Sequence, residues 1–393
     1  MATRVVLSGN GAVAYGARLS RIQVVSAYPI TPQSAIPEGL AKAISAGELN
    51  GRYLRVESEH SALAGAIGAS LVGARAFTAT SSVGLELMHE VLGLAAGCRQ
   101  PIVMAVVNRA ILGPWNIWGD QSDMMGTRDQ GWLSLCAATV QEALDFVIIA
   151  YRIAEDRRVL LPVMVNLDGF FLSHVSEVLS LPDQSQVDAF LPPRALSPVR
   201  LDVDEPMVVN TLTPPDEYTE VRYRHSQAID ATCEVIPEVM AEFESHFGRH
   251  YAPVECFGPP DSKVVLIGMG SVCGTIHHVL QKYALERAKL VKLTAFRPFP
   301  AKQVRAVCRG ARVVGVIERS PALGYVGPLT SEVRAALYNL DSPPGVRGFV
   351  AGLGGRDISP RTIEKIIQSL LKPESSPDGF RSCWIDVLPD RPL

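Results

Sequence analysis

The sequence predicts an α/β fold built from two doubly wound domains. Three observations predict it. Short apolar runs of strand length alternate with helical stretches across residues 22–167, and the same alternation returns across residues 263–371. Between the two lies a proline-rich stretch without periodicity. Such alternation places parallel strands in a sheet with helices on both faces.

In chain order, the apolar run 22–28 is followed by a helical stretch 33–45, run 53–56 by 62–72, and run 75–80 by 84–97. Run 101–107 leads into a long irregular segment reaching about residue 135. Residues 141–155 then read as a helix and 160–167 as a strand. Small residues crowd the second helix (Ala62, Ala64, Gly65, Ala66, Gly68, Ala69), so another backbone can approach it closely. The stretch 181–215 carries Pro182, Pro192, Pro193, Pro198, Pro206, Pro214 and Pro215 and reads as a linker wrapping over a surface. A polar helix over 217–246 follows. The second unit reads as strands 263–267, 289–293, 311–317 and 348–353, with helices 274–286, 301–309, 329–338 and 361–371. The expected division is a first domain 1–180, a wrapping segment 181–258, a second domain 259–371 and a proline-rich tail 372–393.

The chain has 393 residues, which fits two to three domains of roughly 150 residues each. Lys+Arg number 37 against 40 Asp+Glu, and this near-balance excludes a strongly basic nucleic-acid binder. Hydrophobic residues make up 47% and charged residues 20%, a composition of packed cores rather than of disorder. No apolar run approaches the ~20 residues that span a membrane, and residues 1–20 lack the apolar centre of a signal peptide. The expectation is therefore a cytoplasmic protein. The 7 cysteines are scattered without a C-x-x-C pair, so local spacing builds neither a zinc site nor an iron–sulfur cluster, and no metal site is expected in this chain.

Chemistry gathers at the carboxyl ends of the first strands. Tyr28-Pro29-Ile30-Thr31-Pro32 ends one of them, and the prolines stiffen the turn around Thr31. This is equally a rigid strand-to-helix junction. Glu57-Ser58-Glu59-His60 ends the next, where Ser58 and Glu59 suit a helix start and a carboxylate also suits a heterocycle. The following strand ends in hydroxyls, including Ser81 and Ser82, and the one after it in Asn108-Arg109. An acid, a guanidinium and a hydroxyl on one rim suit a small carboxylate-bearing ligand. The loop beyond Arg109 carries Trp115, Trp118 and Trp132, and its aromatic residues argue for order. Gly268-Met269-Gly270-Ser271-Val272-Cys273-Gly274 resembles a dinucleotide fingerprint, but its third glycine falls one place late and no acid ends the next strand. A nicotinamide dehydrogenase is therefore disfavoured, and a tight turn accounts for the glycines. His246 and His250 lack a third ligand nearby and read as solvated surface.

Long tracts carry a family resemblance: AYPITPQS, RVESEHSALAGAIGAS, TATSSVGLELMHEVL, NRAILGPWNIWGDQSDMMGTRDQGW, VVLIGMGS, LVKLTAFRPFP and VVGVIERSPALGYVGPLTSEV. They resemble the alpha subunit of 2-oxoacid:acceptor oxidoreductases, the pyruvate:ferredoxin oxidoreductase group, over nearly the whole chain to about residue 371. The resemblance implies a pyrimidine-binding domain for thiamine diphosphate followed by a transketolase C-terminal-like domain. It implies that the cofactor is shared with a beta subunit, which binds the diphosphate through Mg2+. Gamma and ferredoxin-like delta subunits would complete the complex, with iron–sulfur clusters, and FAD where NAD is the acceptor, on partner subunits only. The implied reaction is oxidative decarboxylation of a 2-oxoacid, pyruvate by default, with CoA to acyl-CoA and CO2, the electrons passing to ferredoxin or NAD. A catalytically inactive scaffold subunit is the alternative, against which the retained Thr31, Glu59 and Arg109 argue.

By the same resemblance, Glu59 corresponds to the glutamate that hydrogen-bonds the pyrimidine ring and so promotes loss of the thiazolium C2 proton. Tyr28, Pro29, Ser81 and Ser82 are placed with it around the cofactor. Thr31 and Arg109 correspond to groups that bind the substrate carboxylate. Leu112 departs from the family, whose pyruvate enzymes carry a small polar residue two positions before the proline. That change suits either a branched or aryl 2-oxoacid, such as phenylglyoxylate, or a repacked loop. Gly11 replaces a family glutamate, and Glu318 stands where aspartate is frequent.

Overall fold

A computed structural model describes residues 3–282, 288–372 and 381–388. The first unit runs β1 (Thr3–Ser8), α1 (Gly9–Leu19), β2 (Val24–Ala27), α2 (Ala35–Ser45), β3 (Arg52–Arg55), α3 (Glu59–Leu71) and β4 (Ala76–Thr80). It continues through α4 (Val83–Leu87), α5 (His89–Gly97), β5 (Val103–Asn108), α6 (Ser122–Gly126), β6 (Leu133–Ala137), α7 (Val140–Ala154) and β7 (Val163–Asp168). Then come β8 (Ser176–Leu181), α8 (Gln184–Phe190) and the long helix α9 (Pro215–Phe247). The second unit holds β9 (Val254–Phe257), β10 (Val264–Gly268), α10 (Val272–Lys282), β11 (Ala288–Leu293), β12 (Ala295–Arg297) and α11 (Ala301–Cys308). It closes with β13 (Val313–Glu318), α12 (Pro328–Leu337), β14 (Gly345–Val350), α13 (Pro360–Leu371) and β15 (Cys383–Trp384).

The fold class is the expected one. The first sheet has the order β12-β6-β7-β5-β4-β2-β3, parallel but for its edge strand β12. The second has the order β15-β14-β13-β10-β11-β9, with β9 antiparallel. In the first sheet the chain passes from β2 to β3 on one side and returns to β4 on the other. This makes a switch point between β2 and β4, where open α/β sheets bind ligands at the carboxyl ends. In the second sheet the equivalent point is the end of β10.

Each face of the first sheet carries its own core. Ala12, Val13, Leu144 and Phe146 pack on one side, beneath α1 and α7. Ala62, Leu63, Val91 and Leu92 pack on the other, beneath α3 and α5. Four helices start on side-chain caps: Ser8, Ser58, Thr139 and Ser359 each accept from an N–H three residues on. The proline at the start of α9 and left-handed Gly248 at its end bound that helix.

The structure differs from the sequence expectation in several places. The first twenty residues hold β1 and α1, with β1 pairing antiparallel to β8. The helix expected over 84–97 is divided at Met88. The irregular segment after β5 ends in β6, and Trp132 is not a loop aromatic: it is buried beneath α5, its Nε1 donating to Leu92 O at 2.9 Å. The polar helix α9 buries a stripe including Val235, Ile236, Val239 and Phe243 in the first core. The proline-rich stretch contains the short helix α8. Of the helix expected over 274–286, residues 283–286 lie outside the described residues, as does much of the tail; the described tail adds β15 to the second sheet. No helix among the described residues is long and apolar enough to cross a membrane.

Buried polar contacts join the units. Lys292 lies 2.7 Å from Glu142 of α7 and 2.9 Å from Glu255, and β12 crosses from the second unit to extend the first sheet.

Candidate functional site

Glu59 is the first residue of α3, set there by the Ser58 cap, and is 7% exposed. Gly84 makes room for it: a Cβ at Gly84 would stand 2.7 Å from Glu59 Oε1 and 2.6 Å from Thr80 Oγ1. No hydrogen bond or ion pair engages the Glu59 carboxylate among the described residues. Thr80 Oγ1 is likewise buried without a partner. A buried acceptor beside a buried unpaired hydroxyl, at a switch point, is suited to a polar heterocycle from outside the chain. Glu57 is different: it is exposed, and its Oε1 accepts from Ser61 Oγ at 2.6 Å, which holds its carboxyl below the ordinary range.

The turn after β2 is braced from two directions. Asn10 Nδ2 donates to Pro32 O at 2.8 Å, and Arg109 Nη1 donates to Thr31 O at 2.9 Å. Thr31 and Arg109 are thus brought together, with the Thr31 side chain exposed and Arg109 6% exposed. Arg109 Nε donates to Asn116 O at 3.1 Å, which ties the following loop to the same guanidinium. Its Nη2 edge makes no hydrogen bond among the described residues. Tyr28 is half-buried, and its carbonyl accepts from Gln33; Pro29 is exposed.

Ser81 and Ser82 are buried, and their hydroxyls donate to Val107 O and Ala110 O. Ser82 holds φ at 50° with ψ at −126°, a positive-φ conformation that costs about 1–3 kcal/mol in a residue with a side chain. The constraint that holds it is Asp123. This fully buried carboxylate accepts from Ser82 N at 2.9 Å, Arg109 N at 3.0 Å, Asn108 Nδ2 at 2.9 Å and Met124 N at 2.8 Å. One side chain therefore fixes the ends of β4 and β5 together.

Burial pushes the Asp123 carboxyl up to about 7, against the opposing pull of its N–H donors. A native value above the unfolded one means that the native state holds the extra proton between about pH 4 and pH 7. The stability contributed by that proton is full below this window and lost as pH rises through about 7. Urea midpoints are expected to fall between about pH 5 and pH 8 by more in the wild type than in Asp123→Asn; an equal fall in both would contradict the assignment.

At the second switch point the Gly268–Gly274 turn is filled by the chain itself. Asp168, at the end of β7, accepts from Ser271 N at 2.8 Å and from the Ser271 hydroxyl. Gln121 Nε2 donates to its other oxygen at 3.1 Å, and Arg319 lies 3.3 Å away in a pair that is almost wholly buried. Gly270, at φ 72°, admits the carboxylate, since a Cβ there would stand 2.8 Å from Asp168 Oδ2. The glycines thus clasp one unit to the other, and a dinucleotide phosphate has no room at this helix start.

Leu112 stands apart from the other expected residues. It is 56% exposed and lines a cavity of about 770 Å³ between the loop after β5 and the second unit. Ile111, Met125, Leu323 and Tyr325 share this lining, and Ala110 carries it to the residue beside Arg109. Thr31, Glu59 and Arg109 do not line it. Asp123 and Asp168 were missed in the sequence; for Asp168 the available signal was an acid at the end of a strand, whereas Asp123 sits in α6, well after the Ser82, Asn108 and Arg109 that it holds.

A family model described as pyruvate flavodoxin/ferredoxin oxidoreductase, thiamine diphosphate-binding, matches residues 15–241. One described as pyruvate:ferredoxin oxidoreductase core domain II matches residues 262–363. The chain is 46% identical over 374 residues to the pyruvate synthase subunit PorA of Methanothermobacter thermautotrophicus, covering 94% of this chain and 96% of that one. It is 42% identical over 370 residues to the ketoisovalerate oxidoreductase subunit VorA of Pyrococcus horikoshii, covering 93% of each. A solved 2-oxoglutarate:ferredoxin oxidoreductase from Magnetococcus marinus shares the fold, with a TM-score of 0.73 at 20% identity over 94% of this chain and 65% of that chain.

Proposed function

The chain is an alpha subunit of the 2-oxoacid:ferredoxin oxidoreductase family, and from that membership we propose that it supplies the pyrimidine side of a shared thiamine diphosphate site. The observation that carries this reading is the Glu59 carboxylate, buried, without a partner among the described residues and set against Gly84 at the first switch point, with the unpaired Thr80 hydroxyl on the same glycine. These residues fit an aminopyrimidine, which offers a ring nitrogen to an acid and an amino group to nearby acceptors. The reaction is oxidative decarboxylation of a 2-oxoacid with CoA to acyl-CoA and CO2, releasing an electron pair.

Bound thiamine diphosphate supplies the carbon nucleophile and the electron sink for this chemistry. Glu59 would hold the ring nitrogen through a shared proton, and its close packing against Gly84 would keep that contact dry. Tyr28 and Pro29 wall the same edge, while Ser81 and Ser82 hold the β4 turn in place. The free edge of Arg109 and the exposed Thr31 hydroxyl bind the substrate carboxylate, and the Arg109–Thr31 contact fixes the two at a set separation. A beta subunit holds the diphosphate through Mg2+. Gamma and ferredoxin-like delta subunits complete the complex, and their iron–sulfur clusters carry the electrons to ferredoxin, or through FAD to NAD.

The relatives act on different acids by name, pyruvate and ketoisovalerate, so the side-chain pocket decides the substrate. Pyruvate is the default, and Leu112, which lines the cavity that reaches the residue beside Arg109, leaves a branched or aryl 2-oxoacid, phenylglyoxylate among them, open. In the assembled complex, Leu112→Ala is expected to lower kcat/KM for such an acid by about tenfold while leaving pyruvate nearly unchanged. A substrate panel checks this: strict pyruvate preference in the wild type, or a parallel loss for all acids in the variant, would remove Leu112 from the pocket.

A further inference from the structure

A second cleft, of about 570 Å³, opens at the opposite end of the first sheet. Its lining comes from residues just before β2, β3 and β4 and from the wrapping segment, so it lies across the sheet from Thr31, Glu59 and Arg109. Four arginines reach it: Arg18, Arg21, Arg75 and Arg194. Its volume is that of a small-molecule site.

The four guanidiniums are not equally satisfied. Arg21 presents its Nε and Nη2 to the two oxygens of Asp188 at 2.6 and 2.7 Å. Arg75 presents the same edge to Glu155, at 2.7 Å for both bonds, and gives two further donors to the Ser20 and Pro192 carbonyls. Arg194 donates Nη1 to Ala74 O, but its Nε and Nη2 are buried and have no partner among the described residues. The nearby carboxylate of Glu155 is already taken on both oxygens. The planar edge that binds an oxyanion through two parallel bonds is therefore buried and empty in Arg194 alone of Arg21, Arg75 and Arg194. A buried charged donor left unpaired is costly, so an acceptor belongs there.

We propose that this cleft binds a phosphate group, free or carried on a small molecule, with two of its oxygens on the Nε and Nη2 edge of Arg194. Phosphate fits better than a carboxylate because its further oxygens and second charge also answer Arg18 and Arg21 at the mouth. Those two are paired with Glu48 and Asp188 at exposed positions, where water screens the pairs and an incoming dianion competes. The site is separate from the one assigned to thiamine diphosphate and does not depend on that assignment.

Calorimetric titration of the full chain in phosphate-free buffer, with inorganic phosphate and with adenosine monophosphate, tests the proposal. One saturable site is expected, weakened at least about tenfold by Arg194→Gln. Glu48→Gln, which frees Arg18, is expected to tighten it. Equal affinity for both probes assigns the site to the free ion, and tighter binding of the nucleotide assigns it to a phosphate ester. Absence of saturable binding of either probe at about 10 mM, or unchanged affinity in Arg194→Gln, overturns the proposal. Should Arg194→Gln fail to fold, unchanged or weaker binding in Glu48→Gln overturns it.

Discussion

Glu59→Ala in the assembled complex is expected to lower turnover of the 2-oxoacid by about 10²–10⁴-fold, the range that a positioned acid–base group contributes. The fold should survive the change. Glu59 has no partner among the described residues, so its removal orphans no donor there, and the chain loses only a favourable acid at a helix start, about 0.3–1 kcal/mol. The missing side chain leaves space against Gly84 and Thr80 rather than an unpaired charge. Steady-state kinetics and thermal melting together check this. Near wild-type turnover with cofactor bound would contradict the assignment, and a fall in turnover matched by a large fall in Tm would assign Glu59 to the fold instead.

Asp168→Ala is expected to cost about 3–5 kcal/mol of stability, the penalty of leaving one member of a buried ion pair behind. Arg319, with 3% of its side chain exposed, would lose its counter-charge, and Ser271 N would lose its acceptor at the start of α10. Because these groups lie on both units, the loss should also loosen one against the other. Urea unfolding measures the cost, and protease nicking between the units measures the loosening. Asp168→Asn keeps one acceptor oxygen and should lose less. An unchanged urea midpoint in Asp168→Ala would show that the clasp is incidental.

Much of the first unit was legible because burial on both faces writes parallel strands as apolar runs, and the polar residues that end them then stand out. That is how Thr31, Glu59 and Arg109 came to be placed on one rim. What was not legible came from contacts far apart in sequence. Nothing near Gly268 announces that Asp168 fills its turn, and nothing near Ser82 announces that Asp123 holds its backbone. Strand β12 has three residues, too few for a pattern, yet it extends the other unit's sheet. Strand β1 and helix α1 were missed because β1 is largely exposed and α1 is interrupted by glycines. Trp132 shows the reverse error: an aromatic in an irregular stretch belongs to the core when a strand begins beside it. Leu112 was legible as a departure from its family, but its side-chain environment was not, and it proved to lie in the cavity rather than beside Glu59.

The proposed role of Glu59 is to promote loss of the C2 proton of bound thiamine diphosphate. The direct measurement is the rate of hydrogen–deuterium exchange at C2 in the assembled complex, in wild type and in Glu59→Gln at equal cofactor occupancy. Slowing by about 10²–10⁴-fold is expected in the variant. Equal rates in the two proteins would contradict it.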